Sequence, residues 1–112
     1  MSKKIKISVL IHKRVDDELM QLMISTGYGI KKKSTWICEA IESLLNIEGF
    51  PSIIQYEGLA GLTKMIVFSA PFELKQRLEE AIIKVRSKHP SLEGVQSKII
   101  RAAIMQRIMC NK

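Results

Sequence analysis

The sequence predicts a mainly α fold with two short strands, laid out as β-α-α, a linker, and β-α-α again. Three observations predict it. Apolar and polar residues alternate with period two near the N-terminus. The period changes to helical spacing directly afterwards. The same order then recurs in the second half of the chain.

The first strand is Lys4-Ile5-Lys6-Ile7-Ser8-Val9-Leu10-Ile11. Ile5, Ile7, Val9 and Ile11 fall on one face and Lys4, Lys6, Ser8 and Leu10 on the other, a half-buried pattern rich in β-branched residues. From about Lys13 the apolar positions Val15, Leu19, Leu22 and Met23 follow helical spacing. Asp16, Asp17 and Glu18 occupy the first turn, where negative charge favours the helix dipole. Gly27-Tyr28-Gly29 ends this helix. A second helix is expected from about Lys33 to Asn46, with Trp36, Ile37, Ala40, Ile41, Leu44 and Leu45 as its apolar face.

The stretch 47–62 carries the breakers of a linker, Gly49, Pro51, Gly58 and Gly61. It also holds Phe50, Ile53, Ile54 and Tyr56, so it is expected to pack on the body. The second strand is expected over Thr63–Ala70, with Pro71 at the first helical position of the helix that follows. Leu74, Leu78, Ala81, Ile82 and Val85 mark its buried stripe, and His89-Pro90 stops it. After Gly94 a last helix runs from about Val95 to Met109.

The two halves superimpose as sequences. Ile11 corresponds to Ala70, Val15 to Leu74 and Leu19 to Leu78, at an offset of 59. Ser34 corresponds to Ser97, Ile37 to Ile100 and Ala40-Ile41 to Ala103-Ile104, at an offset of 63. The difference of four places an insertion in the loop near Lys88 to Glu93, where a structural repeat tolerates one. The expected organisation is a first repeat over 1–46, a linker over 47–62 and a second repeat over 63–112. A lone domain of ~50 residues buries too little surface to be robust, so the repeats are expected to share one core.

Composition narrows the function. The 112 residues are 46% hydrophobic, too apolar for disorder, and carry a formal net charge of +7. Such a balance suits a polyanion, first nucleic acid and second an anionic membrane surface. The longest apolar runs, such as Met65-Ile66-Val67-Phe68, fall far short of the ~20 residues of a membrane span. The N-terminus lacks a signal-peptide core, so a cytoplasmic location is expected. Cys38 and Cys110 have no metal-ligand spacing and are expected as helix thiols, with a disulfide left open. No nucleophile elbow, phosphate loop or paired-carboxylate motif is present, so no catalytic residue, metal or cofactor is expected.

Strand, helix, helix at these spacings resembles the ribbon-helix-helix family of DNA-binding proteins, of the Arc, MetJ and CopG type. Two stretches carry the resemblance. Lys33-Ser34-Thr35-Trp36-Ile37-Cys38-Glu39-Ala40-Ile41 and Gln96-Ser97-Lys98-Ile99-Ile100-Arg101-Ala102-Ala103-Ile104 both resemble the family's second helix. The Ala70-Pro71 junction is similar to the Arc-type passage from strand to helix. The resemblance implies that two strands pair antiparallel into a ribbon that enters the DNA major groove. Family members are normally dimers; here one chain would supply both strands as a tandem pseudo-dimer. That form resembles TraY-like accessory proteins of conjugative relaxosomes, while plain members are mostly transcriptional repressors. The implied partner is double-stranded DNA, with no membrane, bound by one chain or by several side by side.

By this match the base-contacting set is Lys6, Ser8 and Leu10 with Met65, Val67 and Ser69. Lys can donate to guanine and Ser can donate or accept, while Leu, Met and Val reach only thymine methyls. Family reading positions are mostly polar, so Met65 and Val67 depart from the pattern. They could instead be covered by the linker or another subunit, and the ribbon could bind protein rather than DNA. The expected phosphate contacts are Lys4, Lys31, Lys32, Lys33 and Ser34 in the first half, and Gln96, Ser97 and Lys98 in the second, at helix N-termini whose N–H groups favour anions. The lesser alternative for the Lys run is a solvated loop that binds nothing. Trp36 is expected in the core, and His12 and His89 as surface or capping residues.

Overall fold

The structure, a computed structural model, describes residues 3–29, 32–51 and 61–110. Strand β1 (Lys4–His12) leads directly into helix α1 (Lys13–Ser25), followed by α2 (Lys33–Leu45). Strand β2 (Leu62–Pro71) leads into α3 (Phe72–Lys88), followed by α4 (Val95–Cys110). The described chain is mostly helical, with one two-stranded sheet.

The strands pair antiparallel within the one chain, from Lys4 opposite Pro71 to Ile11 opposite Lys64. The alternation of the sequence becomes two faces. Ile7, Val9, Ile66, Phe68 and Ala70 turn inward and are buried, as is Ile11. The register slips between Ile11 and His12, where the ladder ends. Gly61 closes this end with φ +83, and a Cβ there would lie 2.9 Å from His12 Nδ1. Conformation and space both require glycine at that position.

Each strand passes into a helix without a loop. His12 and Pro71 hold the N-cap positions, both with extended ψ. Pro71 therefore closes β2, and α3 begins one residue later than its sequence suggests. The ring fixes a φ that serves the strand end as well as a helix start, and the absent N–H costs no ladder bond there. α1 ends in a Schellman-type turn: Gly27 adopts φ 83 and the Tyr28 N–H donates to the Met23 carbonyl at 2.9 Å.

One hydrophobic core draws on both halves. Leu19 and Met23 of α1, Trp36, Ile37, Ile41 and Leu44 of α2, Leu74, Leu78 and Val85 of α3, and Ile99, Ile100, Ala103 and Ile104 of α4 all join it. Among helix pairs, α2 and α4 pack most extensively. Full burial of each large aliphatic side chain contributes about 1.5–3 kcal/mol. The inward faces of α2 and α4 therefore join the first and second halves beneath the paired strands. Phe50 and Pro51 are buried, as expected of a linker that packs on the body. Ile53, Ile54 and Tyr56 lie outside the described residues. Among the described residues no helix is long and apolar enough to cross a membrane.

Candidate nucleic-acid interface

The outward face of the ribbon unites all six base-contacting candidates. Lys6 stands opposite Ser69, Ser8 opposite Val67, and Leu10 opposite Met65. Lys6 and Ser8 are exposed and Ser69 is half-buried. Leu10 is 39%, Met65 54% and Val67 58% exposed, so the apolar members of the row are open to contact.

Backbone groups of this row are tied to the helices behind it. Ser34 Oγ accepts the Ser69 N–H at 3.0 Å, and the Cys38 thiol donates to the Ser69 carbonyl at 3.4 Å. At the other end Arg101 Nη1 donates to the Leu10 carbonyl at 3.0 Å. Because these groups point away from the partner strand, the outward residues occupy the non-hydrogen-bonded pairs of the ladder. There Cα atoms stand about 4.5 Å apart and facing side chains are closest.

The phosphate candidates divide. Lys4 and Lys32 are exposed, with Lys32 at the N-cap position of α2. Lys31 lies outside the described residues. Lys33 is held by Asp16 at 2.7 Å. Ser34 is half-buried and engaged with the Ser69 N–H. At the start of α4, Gln96 and Ser97 are half-buried, Gln96 accepts from Lys75 Nζ, and Lys98 is buried. The exposed cations that flank the ribbon therefore include Lys4, Lys6 and Lys32 at the Ser69 end. Lys13, Arg14 and Lys64 are exposed near the Met65 end.

Trp36 is 1% exposed, as its spacing implies. The Arg107 guanidinium lies over its ring at 4.6 Å and over the Tyr28 ring at 5.2 Å. The same guanidinium donates to the Trp36 carbonyl at 2.8 Å, to Glu39 Oε1 at 3.1 Å and to the Tyr28 hydroxyl at 2.7 Å. The Tyr28 hydroxyl in turn bonds Glu39. This clip between α4 and the first half was not anticipated from the sequence, because the Arg107 contacts span 68 to 79 residues and Tyr28 meets Glu39 from the turn that follows α1. The burial of Arg101 did leave a signal: Arg101, Ile104 and Ile108 share one helical stripe. His12 and His89 sit half-buried at helix caps. Among the described residues no group of three or more His, Cys, Asp or Glu could hold a metal.

The arrangement offers a narrow two-stranded face with a donor at one end, apolar tips at the other and lysines alongside. Comparison with family models, curated proteins and solved structures finds no match, so this geometry stands on the chain's own residues.

Proposed function

We propose that the chain is a tandem ribbon-helix-helix protein, a single-chain pseudo-dimer, that inserts its ribbon into the major groove of double-stranded DNA. Its role would be that of a transcriptional repressor or a relaxosome accessory protein. The observation that carries the reading is the outward row itself: six side chains in three cross-strand pairs on a ribbon of the width the major groove accepts. The charge of +7 supplies the attraction to phosphate.

Internal correspondence supports the pseudo-dimer. The offset of 59 maps Ser8 onto Val67, and these two residues face each other across the ribbon, as residues on a two-fold axis must. The offset of 63 maps Cys38 onto Arg101. Cys38 bonds the carbonyl of residue 69 and Arg101 the carbonyl of residue 10, again related by 59. A second reading, a protein-binding module on the same scaffold, draws its support from the exposure of Met65 and Val67.

Titration of labelled duplexes over a salt series tests the proposal. Log affinity should fall linearly with log salt with a slope of about −4 or steeper, about −0.9 for each phosphate neutralised. Lys32→Ala should flatten that slope by about 0.9 and weaken all duplexes alike. Failure to bind any duplex, or binding insensitive to salt, would leave the protein-binding reading in its place.

A further inference from the structure

We propose that the ribbon face is graded from a donor end to an apolar end, and therefore reads an asymmetric duplex: guanine under Lys6 and Ser69, thymine methyls under Leu10, Met65 and Val67. This rests on the DNA-binding reading above and specifies what that site recognises. The grading follows from the register. One outer pair joins an ammonium and a hydroxyl, Lys6 and Ser69; the middle pair joins Ser8 and Val67; the other outer pair joins Leu10 and Met65, apolar on both sides. The offset of 59 places Lys6 and Met65 at corresponding positions, and likewise Leu10 and Ser69. The approximate two-fold symmetry of the backbone thus carries opposite chemistry at its two ends. A homodimer could not carry this difference, since both ends would hold the same side chains.

Size and charge favour DNA as the occupant of the apolar end. Three apolar side chains beside Lys6, Ser8 and Ser69 make too small a patch for a stable protein interface, which buries at least about 1,200 Å² and excludes charge from its centre. A thymine methyl needs only one or two apolar contacts. Leu10 and Met65 sit at a non-hydrogen-bonded pair, where side chains are closest, and so present one surface. Spacing sets the separation of the two readings. Lys6 and Leu10 are four residues apart, about 13 Å along a strand. That corresponds to about four base-pair steps of duplex.

The test selects duplexes from a random pool with the full chain, then replaces each thymine of the selected duplex by deoxyuridine, which deletes the C5 methyl alone. The selected sequence should be non-palindromic, with a guanine and one or more thymines about four steps apart. Each contacted methyl removed should weaken binding about fourfold, the effect of one buried methylene. Met65→Ala and Leu10→Ala together should reduce that sensitivity at the apolar end, leaving only the methyl under Val67, and keep the guanine preference. Lys6→Ala should do the reverse, losing between about fivefold and about a hundredfold of guanine discrimination. The deoxyuridine measurement uses the unaltered chain and so does not depend on how any variant folds. A palindromic selected site, or a duplex indifferent to uracil, overturns the graded reading and leaves DNA binding intact. Enrichment of no duplex removes both.

Discussion

Asp16 in α1 and Lys75 in α3 stand at corresponding places, and so do Lys33 and Gln96 at the starts of α2 and α4. In the first half a carboxylate holds an ammonium, Asp16 to Lys33 at 2.7 Å; in the second an ammonium holds an amide, Lys75 to Gln96. The position of the link is kept while its polarity is reversed. Where Cys38 and Arg101 reach the carbonyls of Ser69 and Leu10, position and polarity are both kept and only the donor differs. The comparison teaches that the scaffold requires a bond at each of these places but no particular pair of residues. On the tandem reading proposed above, the two halves can diverge in chemistry because neither has to pair with a copy of itself.

The largest effect should come from the unequal carbonyl anchors. Arg101 is only 8% exposed and holds the Leu10 carbonyl, so Arg101→Ala should lower stability by about 2–4 kcal/mol in urea unfolding. Cys38→Ala at the corresponding place removes a weak thiol donor and should cost about 1 kcal/mol. Equal losses would show that the two anchors matter only as packing.

A smaller effect separates the two helix-start links. Double-mutant cycles should give about 0.5–1 kcal/mol of coupling for Asp16 with Lys33, whose side chains are 12% and 25% exposed. Lys75 with Gln96 should give less. Gln96→Glu rebuilds the ionic chemistry of the first half in the second. It should stabilise by no more than about 0.5 kcal/mol, since Lys75 already faces Glu79 at 3.6 Å.

The last effect is silent at neutral pH. Burial first, then the Glu42 carboxylate, push the Cys38 thiol up to about 11 from its ordinary 9.0; Lys4 opposes and Glu39 adds. The unfolded chain gives up this proton near pH 9 while the folded chain keeps it to about pH 11. The Cys38 contribution is therefore complete below pH 9 and is lost as pH rises through 11. The advantage of the parent over Cys38→Ala should shrink as pH rises through that window and then reverse.

Element boundaries were legible to within a residue or two, because the change from period two to helical spacing falls at His12 and again at Pro71. The exposed row of Lys6, Ser8 and Leu10 was legible for the same reason. The availability of the lysines was not. Lys33 and Lys98 look alike as cations in the first turn of a helix, yet one is bound to Asp16 and the other is buried. The first outcome depends on where α1 packs, which no local pattern encodes. Arg107 was missed because its partners Tyr28, Trp36 and Glu39 come from the other half of the chain.

The bonds that Ser34, Cys38 and Arg101 make to strand backbone have a consequence for solubility. A two-stranded sheet has no inner strand: each strand has a flank of amide and carbonyl groups that another chain could zip onto. Ser34 and Cys38 occupy both outward groups of Ser69, and Arg101 occupies the outward carbonyl of Leu10. A third strand would have to break these bonds and push α2 and α4 aside, opening the core. At these positions α2 and α4 thus stand in the way of an added strand while leaving the front of the ribbon bare.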